Sequence, residues 1–241
     1  MMLSGIFSGL QPQQNRLIIR PDPENGKEMT MKPYIPEKLI AVSRFRQFFP
    51  TLPAEIRLDV CRRMNVLLDE ERQYCDKGNY KHIAQILTSI ALYRSLQAHG
   101  RTAEEAFRIV STEMWKALTP DTYRKLAKYP WFLPAMKKIL PFGFRHGSGK
   151  GWKYEWHLEE DPKDRFHFEC RECVYRHIFE EQNLMKLGAM FCHSDVINFG
   201  SLPYTDFRRT KTLCQGGDCC DFDFVRHSTD AGDGWERTQS V

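Results

Sequence analysis

Residues 152–170 read WKYEWHLEEDPKDRFHFEC, and apolar residues alternate with polar ones at both ends of this stretch. Alternation with a period of two is typical of a strand that buries one face. The segment 159–164, EEDPKD, is polar, contains a proline and lies between the two alternating runs. The stretch therefore predicts a β-hairpin with strands over residues 152–158 and 166–170.

A second hairpin is predicted near the end of the chain. Its strands cover residues 207–213 and 220–226, and a turn of sequence QGGD at 215–218 joins them. The chain between the two hairpins has helical spacing over residues 172–181 and 184–199. We therefore expect an antiparallel sheet of about four strands, with two helices inserted between the two hairpins.

The chain before the first hairpin has a different pattern. Over residues 36–140, apolar residues recur three and four positions apart, which is typical of helices that bury one face. The last segment of this part, 123–140, is expected to be interrupted by Pro130 and Pro134. The predicted fold class is α+β: this helical part is followed, in the same domain, by the sheet-bearing ligand or catalytic part 141–227.

The two ends of the chain carry no such periodicity. Residues 1–35 are rich in turn-forming residues and are expected to be a loosely ordered N-terminal extension. Residues 228–241 are polar and are expected to be a flexible tail.

Composition narrows the class of protein. Of 241 residues, 41% are hydrophobic and 27% are charged, which is typical of a globular protein. The net charge of +4 is small and spread along the chain, so nucleic acid is not expected as a partner. Mean hydropathy is −0.53, and no apolar run approaches the ~20 residues of a membrane helix, so no membrane partner is expected. A homo-oligomer is left open.

Cysteine placement indicates chemistry rather than a disulfide framework. The chain has eight cysteines and an N-terminus that lacks the basic and apolar regions of a signal peptide. We therefore expect a cytoplasmic, reduced protein, in which clustered thiols are ligands or nucleophiles. Six of the cysteines fall in the last third of the chain: Cys170, Cys173, Cys192, Cys214, Cys219 and Cys220.

Four elements of the last third occur in an order that resembles one known family. They are Cys173 in the expected first turn of a helix, FCHSD at 191–195, RTKT at 209–212 and GGDCCDF at 216–222. Together they resemble the L-2-amino-thiazoline-4-carboxylic acid hydrolase family, over residues 36–227. The family is expected to have a cysteine that opens a helix, a Cys-x-x-Asp element, an Arg-Thr-x-Thr strand and a Gly-x-x-x-Cys-Asp-Phe strand.

The resemblance implies a hydrolase that opens a small, carboxylate-bearing heterocycle at a C–N bond other than a peptide bond. The implied reaction is like the hydrolysis of 2-amino-thiazoline-4-carboxylate, a cyclic amidine, to carbamoyl-cysteine. The partner is then a small-molecule substrate, and no cofactor is expected. Two alternatives stay open: a non-catalytic module that binds a small ligand or a metal, and a related enzyme with a different reaction on the same fold.

Four residues are candidates for catalysis. Cys173 and Cys192 are expected near helix ends and Cys220 beside a hairpin turn, so the three thiols can converge. A nucleophilic thiol needs a lowered pKa, which a helix N-terminus or a neighbouring cation supplies. Asp195 follows Cys192 by three residues, which places both on one face of a helix. We expect Asp195 to bind the amidine or transfer a proton, with Cys192 and Cys220 as equal candidates for the nucleophile.

Four further residues are candidates for substrate binding: Arg209, Thr210, Thr212 and His193. The Arg209 guanidinium suits a substrate carboxylate. These positions lie on the predicted strand 207–213, so Thr210 and Thr212 are expected to share one face and Arg209 to lie on the other. His193 adjoins Cys192, although a helix would direct its side chain away from Asp195.

The extra thiols raise a metal question. Cys170 and Cys173 have the spacing of a zinc-binding pair, but the second pair that zinc sites commonly use is missing, so no metal ligand is assigned and a metal is left open. Adjacent residues Cys219 and Cys220 point to opposite faces of a strand. Which of them faces the site is open, although the Asp-Phe that follows matches Cys220 to the family position.

Overall fold

The computed structural model describes residues 34–228. The predicted N-terminal extension and C-terminal tail therefore lie almost wholly outside the described residues. Within residues 34–228, no helix combines the length and apolar character needed to cross a bilayer.

Helices build the first part of the fold. They are α1 (Pro36–Val42), α2 (Ala54–Glu70), α3 (Tyr80–Ala98) and α4 (Ala103–Lys116), with short 3₁₀ helices at Phe49–Thr51 and Arg72–Tyr74. Helix α3 contacts the other three and is buried at every position from 86 to 92, which identifies it as the central helix. Helix α4 begins with a capping box between Thr102 and Glu105.

Two more helices lead to the sheet, α5 (Pro120–Ala127) and α6 (Phe132–Gly147). The expected interruption at Pro134 is wrong, because this proline lies in the first turn of α6, where its missing N–H costs no hydrogen bond. The helix also continues through Pro141 to Gly147, beyond the predicted end of the helical pattern at Leu140.

The sheet has four antiparallel strands, as predicted. They are β1 (Lys153–Trp156), β2 (Arg165–Glu172), β3 (Thr205–Arg208) and β4 (Cys220–Arg226), in the order β1-β2-β4-β3. Helices α7 (Val174–Glu181) and α8 (Met185–Phe199) lie between β2 and β3 in the chain. The predicted α+β fold with two helices inserted between two hairpins is confirmed.

Strand β3 is shorter than predicted. It ends at Arg208, whereas the sequence predicted a strand to Leu213. The reason is the Asp221 carboxylate, which accepts hydrogen bonds from the backbone N–H of Thr210 at 3.0 Å and of Lys211 at 2.8 Å. A side chain thus replaces the ladder partners of these two residues, and the chain leaves the sheet.

Helix α8 joins two apolar cores. Its first half, including Met190 and Phe191, packs in the core of helices α1–α4 and α7. Its second half, including Val196 and Phe199, packs in the core between the sheet and helices α5 and α6. Residues in the middle of α8 therefore lie where the helical part meets the sheet.

Asn79 also joins the two parts. Its fully buried side chain donates to the carbonyl oxygens of Tyr74 at 3.1 Å and Lys150 at 2.8 Å, and accepts from the Trp152 indole N–H at 2.9 Å. These bonds fix the chain just before β1 against the N-terminus of α3. Buried polar groups that lose such partners keep the full cost of desolvation.

Replacing Asn79 by Ala should lower the free energy of unfolding by about 2–4 kcal/mol, because the Lys150 carbonyl and the Trp152 indole each lose a buried partner. Urea unfolding measures this change. Asn65→Ala, at an exposed position of α2, is the matched control and should change stability by less than about 0.5 kcal/mol. Equal effects of the two substitutions would contradict the account of this junction.

Candidate active site

Cys192 and Asp195 lie on the same face of α8. Cys192 is in the middle of the helix, so the expectation that it lies near a helix end is wrong, and the N-terminus of α8 lies two turns away from it. Because the helix continues to Phe199, the side chains of Cys192 and Asp195 are neighbours on it, as expected from their spacing of three residues.

Arg209 forms an ion pair with Asp195. Its Nη1 lies 2.9 Å from the Asp195 Oδ2, and its side chain is only 3% exposed. The guanidinium also lies 5.9 Å from the Phe207 ring centroid and 5.8 Å from that of Phe222. An arginine stays charged even when it is this well buried, so it needs a partner that compensates the charge, and Arg209 and Asp195 fix each other.

Asp195 has a carboxyl that is surrounded by protein but remains partly accessible to solvent. Burial raises the pKa of its carboxyl to about 6, against the lowering effect of Arg209 and with a further raising effect of Cys192. Its side chain nevertheless keeps 33% of its surface accessible. A carboxyl that combines strong desolvation with partial accessibility is a candidate for a functional role.

The Cys192 thiol has the environment of a stable thiolate. Hydrogen bonding from the Cys214 and Cys220 thiols lowers its pKa well below the usual range, and the Arg209 charge and a hydrogen bond with Thr212 lower it further. The same contacts raise the pKa of Cys214 and Cys220, which keep their protons as donors. Of these three thiols, Cys192 is therefore the one suited to act as a nucleophile.

A close approach of the backbone makes this thiol group possible. The 3₁₀ turn Leu213–Gln215 lies against α8 at Gly188, where a Cβ atom would come within 2.9 Å of the Cys214 sulfur. The Leu213 N–H donates to the Cys220 sulfur at 3.2 Å. A glycine in α8 thus allows Cys214 to reach Cys192.

Strand register decides between the two adjacent cysteines. Cys220 pairs with Cys170 in the β2–β4 ladder, and its thiol reaches Cys192. Cys219 is fully buried on the other face, where burial and Glu169 raise its pKa. Cys220 is thus the one that belongs to the site, as the family position implied.

Cys173 forms the N-cap of α7 rather than lying in its first turn, because its backbone is extended, with φ −141°. Hydrogen bonding with Cys173 raises the pKa of Cys170, and the charge of Cys173 also raises the pKa of Cys220. Cys173, Cys192 and Cys220 are therefore neighbours, as the sequence indicated. In the described part of the chain, however, no three thiols lie mutually within 4.8 Å, so no metal-binding trio of sulfurs forms.

The predicted sharing of one face by Thr210 and Thr212 is wrong, because residues 209–212 are not a strand. Thr212 is buried beside Cys192, whereas Thr210 is exposed and its hydroxyl donates to Asp221 at 2.6 Å. Arg209 is also buried, and both Arg209 and Thr212 lower the pKa of Cys192. His193 is half-buried and packs on the Trp115 ring, with centroids 5.1 Å apart. The side chain of Thr210 is thus bound to Asp221, and that of His193 is packed on Trp115.

Three residues near the site were not among the predicted ones: Arg44, His82 and Tyr175. The Tyr175 hydroxyl lies 3.2 Å from the His82 Nδ1, and burial lowers the pKa of His82 to about 4. Arg44 Nη1 lies 3.4 Å from the Ser194 hydroxyl of α8, and the Arg44 charge acts on Asp195 and Tyr175. Tyr175 lies two residues after Cys173, so its position in the chain could have indicated that it is near the site. No local sequence pattern indicates this for Arg44 or His82.

The first prediction from this geometry concerns thiol reactivity. Iodoacetamide should modify Cys192 first, with a rate that reaches half its maximum below the ordinary thiol pKa of about 8.5. Cys192→Ser should abolish this fast phase. Cys61→Ser is the control and should retain the fast phase, because burial raises the pKa of Cys61 on α2. A fast phase that survives Cys192→Ser would contradict the assignment.

The second prediction concerns stability and pH. The pKa of Asp195 in the folded chain, about 6, lies above its ordinary value of 3.8. The stability that this group contributes is therefore fully present below that ordinary value and is lost as pH rises through about 6. Asp195→Asn removes this loss, so the stability of the variant relative to the original chain should rise by about 1–2 kcal/mol between about pH 4 and about pH 7, an amount reduced for partial solvent exposure.

Unfolding in urea at a series of pH values measures this difference. Whatever Asp195→Asn costs by removing the partner of Arg209 is independent of pH in this range, because arginine does not titrate there. A difference that stays flat with pH would show that Asp195 has an ordinary pKa.

Comparison with known proteins identifies the family. A family model described as L-2-amino-thiazoline-4-carboxylic acid hydrolase matches residues 79–224, which is more than half of the chain. No curated protein and no solved structure matches the chain. The matched span contains Cys173, Cys192, Asp195, Arg209 and Cys220, whereas Arg44 lies outside it. The chain belongs to the L-2-amino-thiazoline-4-carboxylic acid hydrolase family.

Proposed function

We propose that this protein hydrolyses a small cyclic amidine that carries a carboxylate, and that 2-amino-thiazoline-4-carboxylate or a close relative is its substrate. Family membership supports the class of reaction. The observation that carries the proposal is the arrangement on α8, where a thiol with a lowered pKa adjoins a carboxyl with a raised pKa, both beside Arg209.

Cys192 is the proposed nucleophile. The reactive carbon of the thiazoline ring is bonded to the ring sulfur, the ring nitrogen and the exocyclic amino group. Attack by the Cys192 thiolate forms a C–S bond and a tetrahedral adduct. The adduct collapses by breaking the bond from this carbon to the ring nitrogen, which takes a proton and leaves as an amine still tethered through the ring sulfur.

Water completes the reaction. It adds to the enzyme-bound carbon, and the bond to Cys192 then breaks with return of the electron pair to the thiolate. The product is a carbamoyl-cysteine, and the sum of both steps is the addition of one water molecule to the substrate. Hydrogen-bond donation by Cys214 and Cys220 stabilises the thiolate as it departs.

Asp195 is the proposed proton-transfer group. With a pKa of about 6, its carboxyl gives a proton to the leaving ring nitrogen and then takes one from the attacking water. The Cys192 charge contributes to raising this pKa, so the nucleophile helps to keep the acid protonated. The shared surroundings thus lower the pKa of Cys192 and raise the pKa of Asp195.

Two arginines are candidates for holding the substrate carboxylate. Arg209 is buried and bound to Asp195, so it would bind the carboxylate and orient the acid together. Arg44 is half-buried, and its Nη1 contacts the Met114 sulfur at 3.2 Å and the Ser194 hydroxyl at 3.4 Å, both of them uncharged groups. The two cations act on Asp195 from different parts of the chain. The site would therefore offer both a carboxylate for the amidine and a guanidinium for the carboxylate of a zwitterionic substrate.

Activity of variants tests the proposal. Cys192→Ala should lower kcat for ring opening by about 10³-fold or more, because it removes the nucleophile. Asp195→Asn should lower kcat by about 10²–10⁴-fold and flatten the pH–rate profile, because it removes the acid. Cys173→Ala and Cys220→Ala should have smaller effects.

Cys61→Ala, on α2, is the matched control and should keep full activity. The readout is the appearance of carbamoyl-cysteine from 2-amino-thiazoline-4-carboxylate. Full activity in Cys192→Ala would contradict the assignment of Cys192 as the nucleophile. Full activity in all four variants at Cys173, Cys192, Asp195 and Cys220 would exclude the proposed site altogether.

A further inference from the structure

Three potential metal ligands meet on the face of the sheet opposite to Cys170 and Cys220. His167 and Glu169 are two residues apart on β2 and share one face, and His157 follows the end of β1 beside them. The His157 and His167 rings are stacked, with centroids 4.3 Å apart and planes 9° apart. One ligand atom from each of the three residues lies within 4.8 Å of the other two.

Glu160 orients the first ligand. Its Oε2 lies 3.1 Å from the His157 Nδ1. When Nδ1 donates its proton to this carboxylate, Nε2 is left with a free lone pair, and the Nε2 atom is buried without a hydrogen-bond partner. A histidine held by a carboxylate through one ring nitrogen and offering the other is the usual arrangement around protein-bound zinc.

The turn between the strands holds these ligands in place. Asp161 accepts from the His167 backbone N–H at 2.6 Å, and its own N–H donates to the His157 carbonyl at 3.1 Å. The His157 N–H in turn donates to the His167 carbonyl at 3.4 Å. The two histidines are thus fixed by backbone bonds before any ion arrives, which reduces the ordering cost of binding.

Arg171 supplies the countercharge for Glu169 in the absence of an ion. It forms an ion pair with Glu169 and another with Glu155, at 2.9 Å, and its Nη1 lies 3.6 Å from Asp218. Because Glu155 and Asp218 can keep the arginine, Glu169 can turn an oxygen to a metal without leaving Arg171 uncompensated.

We propose that His157, His167 and Glu169 bind one divalent transition-metal ion, with Zn²⁺ as the best fit. Two imidazoles and one carboxylate form a donor set that zinc takes, and water would fill the fourth position. The site joins β1 to β2 on the outer face of the sheet, and neither Cys192 nor Asp195 takes part in it. It is therefore independent of the proposed hydrolytic reaction.

Cobalt is the probe, because Co²⁺ occupies zinc sites and is visible by absorption. Titration of the reduced full chain with Co²⁺ should give one equivalent of bound ion with visible bands and without the sulfur-to-cobalt charge-transfer band that thiolate ligands produce. Added Zn²⁺ should remove the visible bands. A charge-transfer band, or the lack of any one-equivalent binding, would overturn the proposal.

Variants locate the ion. His157→Ala and His167→Ala should each abolish the one-equivalent cobalt spectrum, whereas His146→Ala, at an exposed position of α6, should retain it. Glu160→Gln keeps all three ligands. Because the Glu160 side chain is exposed in the turn, this substitution is not expected to disturb folding. It should weaken Co²⁺ affinity by about 10–100-fold. Unchanged affinity in Glu160→Gln, or a spectrum that survives both histidine substitutions, would exclude this site.

Discussion

The ion pair between Arg209 and Asp195 is the contact on which the site depends. It brings a buried cation from the chain after β3 to a carboxyl on α8, 2.9 Å away, in surroundings that desolvate both. The same cation lowers the pKa of Cys192, which lies one helical turn before Asp195 on α8. Without Arg209, the thiol and the carboxyl would be two neighbouring acids that each raise the pKa of the other.

The fold supports this pair from both sides. Helix α8 lies in both apolar cores, so its middle is fixed where the helical part and the sheet meet. Asp221, next to Cys220 on β4, holds the backbone of Thr210 and Lys211 and so places Arg209. The family's Cys-Asp-Phe element thus has a double role: its cysteine donates to Cys192, and its aspartate positions the arginine segment.

Local patterns predicted the elements, and tertiary contacts decided the rest. Period-two alternation and helical spacing located both hairpins and α8, and the three-residue separation of Cys192 and Asp195 placed them together. The early end of β3 could not be predicted, because the side chain of Asp221, the last residue of the QGGDCCD segment, accepts hydrogen bonds from the backbone there. Arg44 and His82 could not be predicted either, because both are far from the site in sequence. Arg44 follows α1 and contacts Ser194 of α8, and His82 of α3 contacts Tyr175 of α7.

Trapping the covalent intermediate tests the central claim most directly. The reaction with 2-amino-thiazoline-4-carboxylate is stopped with acid during turnover, and trypsin releases the peptide 187–208, whose only cysteine is Cys192. The account predicts that this peptide gains the mass of one whole substrate molecule, because attack and ring opening lose no atom. Turnover with no added mass on this peptide, or with the added mass on a peptide that carries another cysteine, would contradict it.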